Sequence, residues 1–194
     1  MDPLARLFNS PARLKLLRLF LFNDDLTLTV ADAALRSRTP KDVARKEIHV
    51  LVTAGIVRKR AGKGGGGAGY SVNKKFAHFE ALLAFVRATT SVSDAEIIGS
   101  LRKSGTVRLV TLTGLFTGAI EPKLDLIVVG DKLEERPLLS AIHTLEAELG
   151  RELRYAAFST QDFKYRLGVY DRLLRDVFDY PHRTILDKLN LPSS

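Results

Sequence analysis

The sequence predicts an α+β protein built in two parts, and two observations carry that prediction. Apolar residues over the first ninety positions recur at the three- and four-residue spacing of helices, interrupted by one hairpin pattern. From Ser104-Gly105 onward they run in strand-like stretches that alternate with helices. We therefore expect an N-terminal domain over residues 1–74, a linker helix over 75–92, and a small α/β domain over 93–194.

The charge is distributed unevenly along the chain. Its 30 Lys and Arg against 22 Asp and Glu give a net charge of +8. Residues 1–75 hold 15 basic against 6 acidic side chains, or +9, whereas residues 76–194 hold 15 against 16, or −1. A basic N-terminal part beside a neutral remainder predicts a polyanionic partner, and nucleic acid is the leading candidate.

Composition excludes several other classes. The absence of cysteine excludes a disulfide framework and thiolate metal sites. The four histidines, at positions 49, 78, 143 and 182, lack the spacing of a zinc site, so we expect no metal and no cofactor. No apolar run approaches the roughly 18 residues of a membrane span, and Met1-Asp2-Pro3 does not begin a signal peptide. We expect a cytoplasmic protein without membrane association.

The first two helices have clear start signals. Apolar spacing predicts a helix over residues 4–22 that restarts at Ser10 as N-cap and Pro11 as first helical residue, with Arg18 on its polar side. Residues 26–29 alternate like a short strand. A second helix is expected over 30–37, with Thr29 as its cap.

The third helix and the hairpin after it form the most informative stretch. Residues 40–54 place Ala44, Ile48 and Leu51 on one stripe, which predicts a helix with that stripe in the core and a charged face elsewhere. A basic strand over 56–60, a glycine-rich tip and a return strand over 70–73 predict a hairpin. A solvated charged face explains the helix alone, but the hairpin extends the same positive charge toward flanking phosphates. The candidate DNA-binding residues are Thr39, Lys41, Asp42, Arg45, Lys46, His49, Arg58, Lys59, Arg60 and Lys63.

This succession of three helices and a hairpin resembles the winged helix-turn-helix family of transcription regulators, above all in the stretch VARKEIHVLVTAGIVRKR. The resemblance covers residues 10–73. It implies that the helix from Pro40 enters the major groove of double-stranded DNA and that the hairpin, the wing, contacts the backbone or the minor groove. The glycines at 64–67 carry no side chain that could read a base. Such readers commonly bind paired half-sites, so we expect a homodimer.

Farther along, the pattern alternates helices and strands. Helices are expected over residues 74–90, 93–103, 134–149 and 160–180, with a short last helix near 184–189, and strands over 107–112, 124–129 and 151–159. Ser93 with Glu96 is expected to form a capping box, and Gly150 is expected to end the helix over 134–149. Thr160 is expected to cap the helix over 160–180.

Residues 93–180 resemble the minimal nucleotidyltransferase family. That family places a Gly-Ser turn and a cluster of carboxylates around a nucleotide and divalent metal ions. In this chain Gly114 matches the turn glycine, but Leu115 stands in the serine position, and Lys123 and Asp125 occupy the two aspartate positions of the next strand. The third strand has no carboxylate at its centre. We therefore expect a domain without transfer activity, in which Asp125 is a structural carboxylate paired with Lys123 or an arginine; a retained nucleotide or metal site that senses a ligand is the alternative.

The leading hypothesis is a DNA-binding transcriptional regulator whose C-terminal domain serves dimerisation, ligand sensing or partner binding. One alternative is an active metal-dependent nucleotidyltransferase that uses the basic domain to find its substrate. Another is a non-catalytic adaptor of the toxin–antitoxin type, which binds a protein partner.

Overall fold

The computed structural model describes residues 3–61, 68–118 and 123–191, and over these the protein is a mixed α+β fold, as predicted. The helices are α1 (Pro3–Leu7), α2 (Pro11–Phe22), α3 (Val30–Arg36), α4 (Lys41–Thr53), α5 (Phe79–Thr89), α6 (Asp94–Leu101), α7 (Glu135–Leu149), α8 (Thr160–Gly168) and α9 (Arg172–Phe178). The strands are β1 (Val57–Arg60), β2 (Gly69–Val72), β3 (Thr106–Leu112), β4 (Leu126–Asp131), β5 (Tyr155–Phe158) and β6 (Arg183–Asp187). Contacts divide the chain into a first unit, Met1–Val92 with His143–Arg151, and a second unit, Ser93–Ile142 with Glu152–Ser194.

Local capping signals position the first helices. The Ser10 hydroxyl accepts the Arg13 N–H at 3.1 Å and Pro11 opens α2, so the predicted restart is confirmed. At α3, Thr29 and Asp32 form a reciprocal capping box. In place of the strand predicted at 26–29, only Leu28 pairs with Tyr70, through an isolated antiparallel bridge.

The stripe predicted for the third helix is confirmed as the inner side of α4. Ala44, Ile48 and Leu51 are each at most 2% exposed and pack with residues of α2 and α3. The helix is followed by the hairpin, in which β1 and β2 pair antiparallel with Val57 opposite Val72. The core of this first unit also includes Phe79 and Val86 of α5.

Arg18 is not on a polar side of its helix, as the sequence pattern predicted, but in the interior of the first unit. It is 1% exposed, its Nε donates to the Thr90 hydroxyl at 3.0 Å, and its Nη1 donates to the Glu148 carbonyl at 3.0 Å. The Glu148 carbonyl lies in the last turn of α7, where carbonyls lack a helical partner. Arg18 is therefore a buried cap for a helix end far away in the chain.

Gly150 ends α7, as predicted. It has a left-handed φ of +71°, and a side chain on it would lie 2.6 Å from the Arg18 Cβ. Its carbonyl accepts a hydrogen bond from the Asn23 side chain at 2.8 Å. Only glycine combines this backbone conformation with such a close approach of α2.

The second unit is organised around a four-stranded mixed sheet in the order β5-β4-β3-β6. β4 pairs parallel with β5 and antiparallel with β3, and β3 pairs antiparallel with β6. All but the last residue of β4 is buried, which fits a central strand covered on both faces.

Three sequence predictions for the C-terminal part are wrong. The segment near 184–189 is not a helix, because residues 183–187 form β6, which supplies hydrogen-bond partners for the buried strand β3. The helix expected over 160–180 is divided, since Tyr170 adopts a left-handed φ of +54° and the Asp171 carboxylate accepts the N–H groups of Leu173 and Leu174 to begin α9. The cap of α8 is Ser159 and not Thr160.

None of the helices within residues 3–61, 68–118 and 123–191 combines the length and the apolar character that crossing a membrane requires.

Candidate nucleic-acid interface

The outward face of α4 follows directly from the helical period. Asp42, Lys46, His49 and Thr53 recur at four-, three- and four-residue steps, which places them on the side opposite the buried stripe, and all four are exposed. Lys41 and Arg45, also exposed, lie on one flank of this face. The outward face therefore presents most of the predicted α4 residues together.

The charges on this face are only partly compensated. Arg45 Nη1 donates to Asp42 Oδ1 at 2.9 Å, but both side chains are largely exposed, so the pair contributes about 0.3–0.5 kcal/mol and is easily opened. Lys41 and Lys46 make no ion pair with any residue that the structure describes. Glu47, nearer the core, is bound by Arg13 at 2.7 Å. The face consequently keeps a positive excess available to an anionic ligand.

The hairpin carries its basic residues on both faces. Because successive strand residues point to opposite sides, Arg58 and Arg60 lie on the face away from the buried Val57, while Lys59 pairs with Tyr70 across the ladder. Arg60 Nε donates to the Ser71 hydroxyl at 3.0 Å. The Arg58 Nε is buried and has no hydrogen-bond partner within the described part of the chain.

The remaining predicted residues are not part of an exposed charged cluster. The Thr39 hydroxyl donates to the Ser37 carbonyl at 3.3 Å and the residue is half-buried just before α4. Lys63 lies outside the described residues.

Lys74, a basic residue that follows the hairpin and was not among the predicted DNA-binding residues, is bound by Asp24 at 2.7 Å. Its hydrogen bond is the main cause that lowers the pKa of the Asp24 carboxyl.

Two apolar residues of the α4 face were missed by the sequence reasoning, which considered only charged and polar side chains. Val43 and Val50 are 38% and 39% exposed and lie one behind the other, seven residues apart, beside Lys46. A helical wheel drawn from the buried stripe places both on the outer side. Exposed valines on such a face can contact thymine methyl groups in a major groove.

The expected nucleotide site of the second unit contains a carboxylate that is fully hydrogen-bonded. Asp125 is 3% exposed, and its Oδ1 accepts the Leu115 N–H at 2.8 Å and Arg154 Nη2 at 3.2 Å. Its Oδ2 accepts the Arg154 N–H at 3.0 Å and Arg154 Nε at 3.1 Å. The partner that the sequence left open is therefore Arg154, which puts a guanidinium against the Asp125 carboxylate.

Gly114 and Asp125 are brought together, whereas Lys123 is not. Gly114 has a left-handed φ of +52° and begins a 3₁₀ turn that directs the Leu115 N–H toward Asp125. Lys123 instead binds Asp176 of α9, and this hydrogen bond is the main cause that lowers the pKa of the Asp176 carboxyl. The described residues contain no group of three or more His, Asp or Glu side chains placed to hold a metal ion.

Comparisons of the chain with protein-family models, with curated proteins and with solved structures found no match. The chemistry of the exposed and buried charges described above is what separates the candidate functions.

Proposed function

We propose that the protein is a DNA-binding transcriptional regulator whose first unit is a winged helix-turn-helix. In this proposal α3 and α4 are the helix-turn-helix pair, α4 enters the major groove of double-stranded DNA, and the β1–β2 hairpin is the wing. The observation that carries the proposal is the outward face of α4, which exposes Lys41, Arg45, Lys46 and His49 opposite a stripe that is almost completely buried.

The distribution of charge supports the same function. Residues 1–75 carry a net charge of +9, and two lysines of the α4 face have no anionic partner within the described residues. Lysines that neutralise phosphates release condensed counterions, so an exposed cationic face favours association with a duplex and makes it salt-dependent. Arg58 and Arg60 on one side of the hairpin supply further cations for the flanking backbone.

For the second unit we propose a nucleotidyltransferase-like domain without transfer activity that serves dimerisation, ligand sensing or binding of a protein partner. Its support is the Asp125–Arg154 contact, because a carboxylate that accepts four hydrogen bonds from its own chain has no lone pair directed at a metal ion. A homodimer on paired half-sites is part of the same proposal.

The test is a salt titration of binding to a mixed-sequence DNA duplex, followed by fluorescence anisotropy. A Lys41→Ala, Lys46→Ala double variant is expected to bind more weakly, with a slope of log K against log salt that is shallower by about 2, since each phosphate contact contributes about 0.9. A binding curve and salt slope equal to those of the parent would show that α4 does not contact DNA.

The matched control is a Lys103→Ala, Lys164→Ala double variant, which removes the same charge from two exposed lysines of the second unit. Its salt slope should remain that of the parent. Equal losses in both double variants would mean that net charge alone, and not the α4 face, determines binding.

A further inference from the structure

The second unit contains a groove of the size of a small-molecule site. A cavity of about 570 Å³ lies between the end of α8, α9, β6 and the segment that reaches Leu191. Ligand sites in proteins commonly measure about 300–1,000 Å³ and combine an apolar lining with a few directed polar groups. The lining of this groove has both.

The floor of the groove is continuous with the core of the unit. Leu174 is 1% exposed, and Phe178 and Leu191 are partly buried against the same apolar cluster. Leu167, at the end of α8, is 37% exposed and extends the apolar lining toward solvent. A ligand with an apolar or aromatic body could cover this surface and remove it from water.

Tyr170 lines the groove in a backbone conformation that tyrosine rarely adopts. Its φ of +54° is left-handed, a conformation that costs a bulky residue about 1–2 kcal/mol. The residue is 79% exposed, so burial of the ring does not compensate for that strain. Glycine or asparagine would form the same break between α8 and α9 at lower cost, which indicates that the ring has a role other than folding.

The charged groups of the lining are mainly acidic, in a protein whose net charge is positive. The lining contains three aspartates, Asp171, Asp179 and Asp187, and one arginine, Arg175. Asp171 is bound by Arg166 at 3.2 Å, and Asp187 accepts three backbone N–H groups, which satisfy its oxygens without cancelling its charge. The Asp179 carboxylate has no hydrogen bond or ion pair with any residue in the described ranges. The groove thus has a carboxylate ready to bind a cation.

We infer that this groove binds a small organic cation with an apolar or aromatic body. The positive charge would lie against the Asp179 carboxylate and the face of the Tyr170 ring, where cation–π attraction adds to the ionic contact. The body would rest on Leu174 and Phe178. This site extends the ligand-sensing role proposed for the second unit. All of its residues belong to that unit, so cation binding can be tested separately from DNA binding by the first unit.

Titration calorimetry of the full chain, without DNA, with tetraphenylphosphonium tests the inference. We expect saturable binding with one cation per chain. Tetraphenylborate, which has nearly the same shape and the opposite charge, is titrated in a separate experiment and should show no saturable binding. Absence of saturable cation binding, or equally tight binding of the anion, would overturn the inference.

Two variants separate recognition from folding. Asp179→Asn should weaken cation binding about tenfold, since it removes the charge of the ligand's main partner. Tyr170→Asn should weaken binding severalfold while leaving the thermal midpoint unchanged or higher, because asparagine tolerates the left-handed conformation.

The matched control is Tyr180→Asn, which changes an exposed tyrosine outside the groove lining and should retain the affinity of the parent. If Tyr170→Asn and Asp179→Asn both bound the cation as tightly as the parent does, the groove would not be the binding site.

Discussion

The second unit binds many of its basic side chains with its own carboxylates, whereas the α4 face of the first unit leaves lysines without such partners. In the second unit the ion pairs include Asp125–Arg154, Lys123–Asp176, Arg166 with Asp162 and Asp171, Arg183–Asp94 and Arg108–Asp131. In the first unit, Lys41, Lys46 and Lys59 have no ion pair with a described residue. The same residue types thus stabilise one surface and remain available to a ligand on another, and the number of basic residues alone does not distinguish the two uses.

Buried charges sharpen this comparison, since each unit has one that is held by backbone groups. In the first unit Arg18 donates to the Glu148 carbonyl, and in the second Asp125 accepts the N–H groups of Leu115 and Arg154. Both hold a chain segment in place. A buried charge that loses its bonds leaves unpaired polar groups behind, which is why we expect larger effects here than at exposed ion pairs.

The largest effect is expected for Arg18→Met. The variant keeps most of the apolar volume but leaves the Thr90 hydroxyl and the Glu148 carbonyl without this donor, so we expect the free energy of unfolding to fall by about 2–4 kcal/mol. Urea unfolding measures it. Lys15→Met is the control on the same helix, because its ion pair with Glu148 is partly exposed and should contribute at most about 1 kcal/mol. Equal losses in the two variants would contradict the interior role of Arg18.

Asp125→Asn is expected to have the next largest effect. An amide nitrogen facing the donors of Leu115 and Arg154 loses at least one hydrogen bond and the charge-assisted contact, for a loss of about 1–3 kcal/mol. Lys123→Ala, which removes an exposed ion pair with Asp176, should change stability much less than Asp125→Asn does, because water and salt screen an exposed pair. Thermal and urea unfolding of both variants compare the buried and the exposed group.

The same variant addresses the enzymatic alternative. Incubation of the parent with labelled nucleoside triphosphates, Mg²⁺ or Mn²⁺ and cell extract should transfer no label, because the Asp125 carboxylate is occupied by Arg154. Metal-dependent labelling that Asp125→Asn abolishes would establish a transferase instead.

What the sequence predicts well in this protein is encoded over short stretches. The restart at Ser10, the cap at Thr29 and the buried stripe of α4 each depend on residues within about two helical turns, and each is confirmed. The pairing of Arg18 with Glu148 and the strand β6 depend on partners far away in the chain. Apolar and polar periodicity carries no information on such partners, so the pattern predicts Arg18 on the polar side of its helix and a short last helix near residues 184–189.

The candidate sites divide in the same way. The outward face of α4 could be predicted because exposure on a helix follows from the position of its buried stripe. For Asp125 the sequence predicted a pairing with Lys123 or an arginine but could not identify the partner. The reason is that Arg154 follows Asp125 by 29 residues in the chain, with α7 between them. The groove beside Tyr170 could not be predicted at all, since it depends on the break between α8 and α9 and on β6.

The smallest expected effect compares one helix cap from each unit. In the first unit the Thr29 hydroxyl accepts the Asp32 N–H and donates to the Asp32 carboxylate, and this hydroxyl is the main cause that lowers the pKa of Asp32. In the second unit the Ser159 hydroxyl accepts the Asp162 N–H, while the Asp162 carboxylate binds Arg166 instead. Thr29→Ala and Ser159→Ala should each lower the free energy of unfolding by about 1 kcal/mol near neutral pH.

The two caps should differ in acid. Because the folded state lowers the pKa of Asp32, its ionised carboxylate stabilises the fold above the unfolded pKa, and that contribution is lost as the pH falls through the folded pKa. The loss caused by Thr29→Ala should therefore shrink below the ordinary range of an aspartate, while the loss caused by Ser159→Ala, whose hydroxyl accepts only a backbone N–H, should stay the same. Urea unfolding near neutral pH and below the ordinary pKa range of an aspartate tests this prediction. If the free energy of unfolding lost in Thr29→Ala were the same at both pH values, the Asp32 carboxylate would add nothing to the cap.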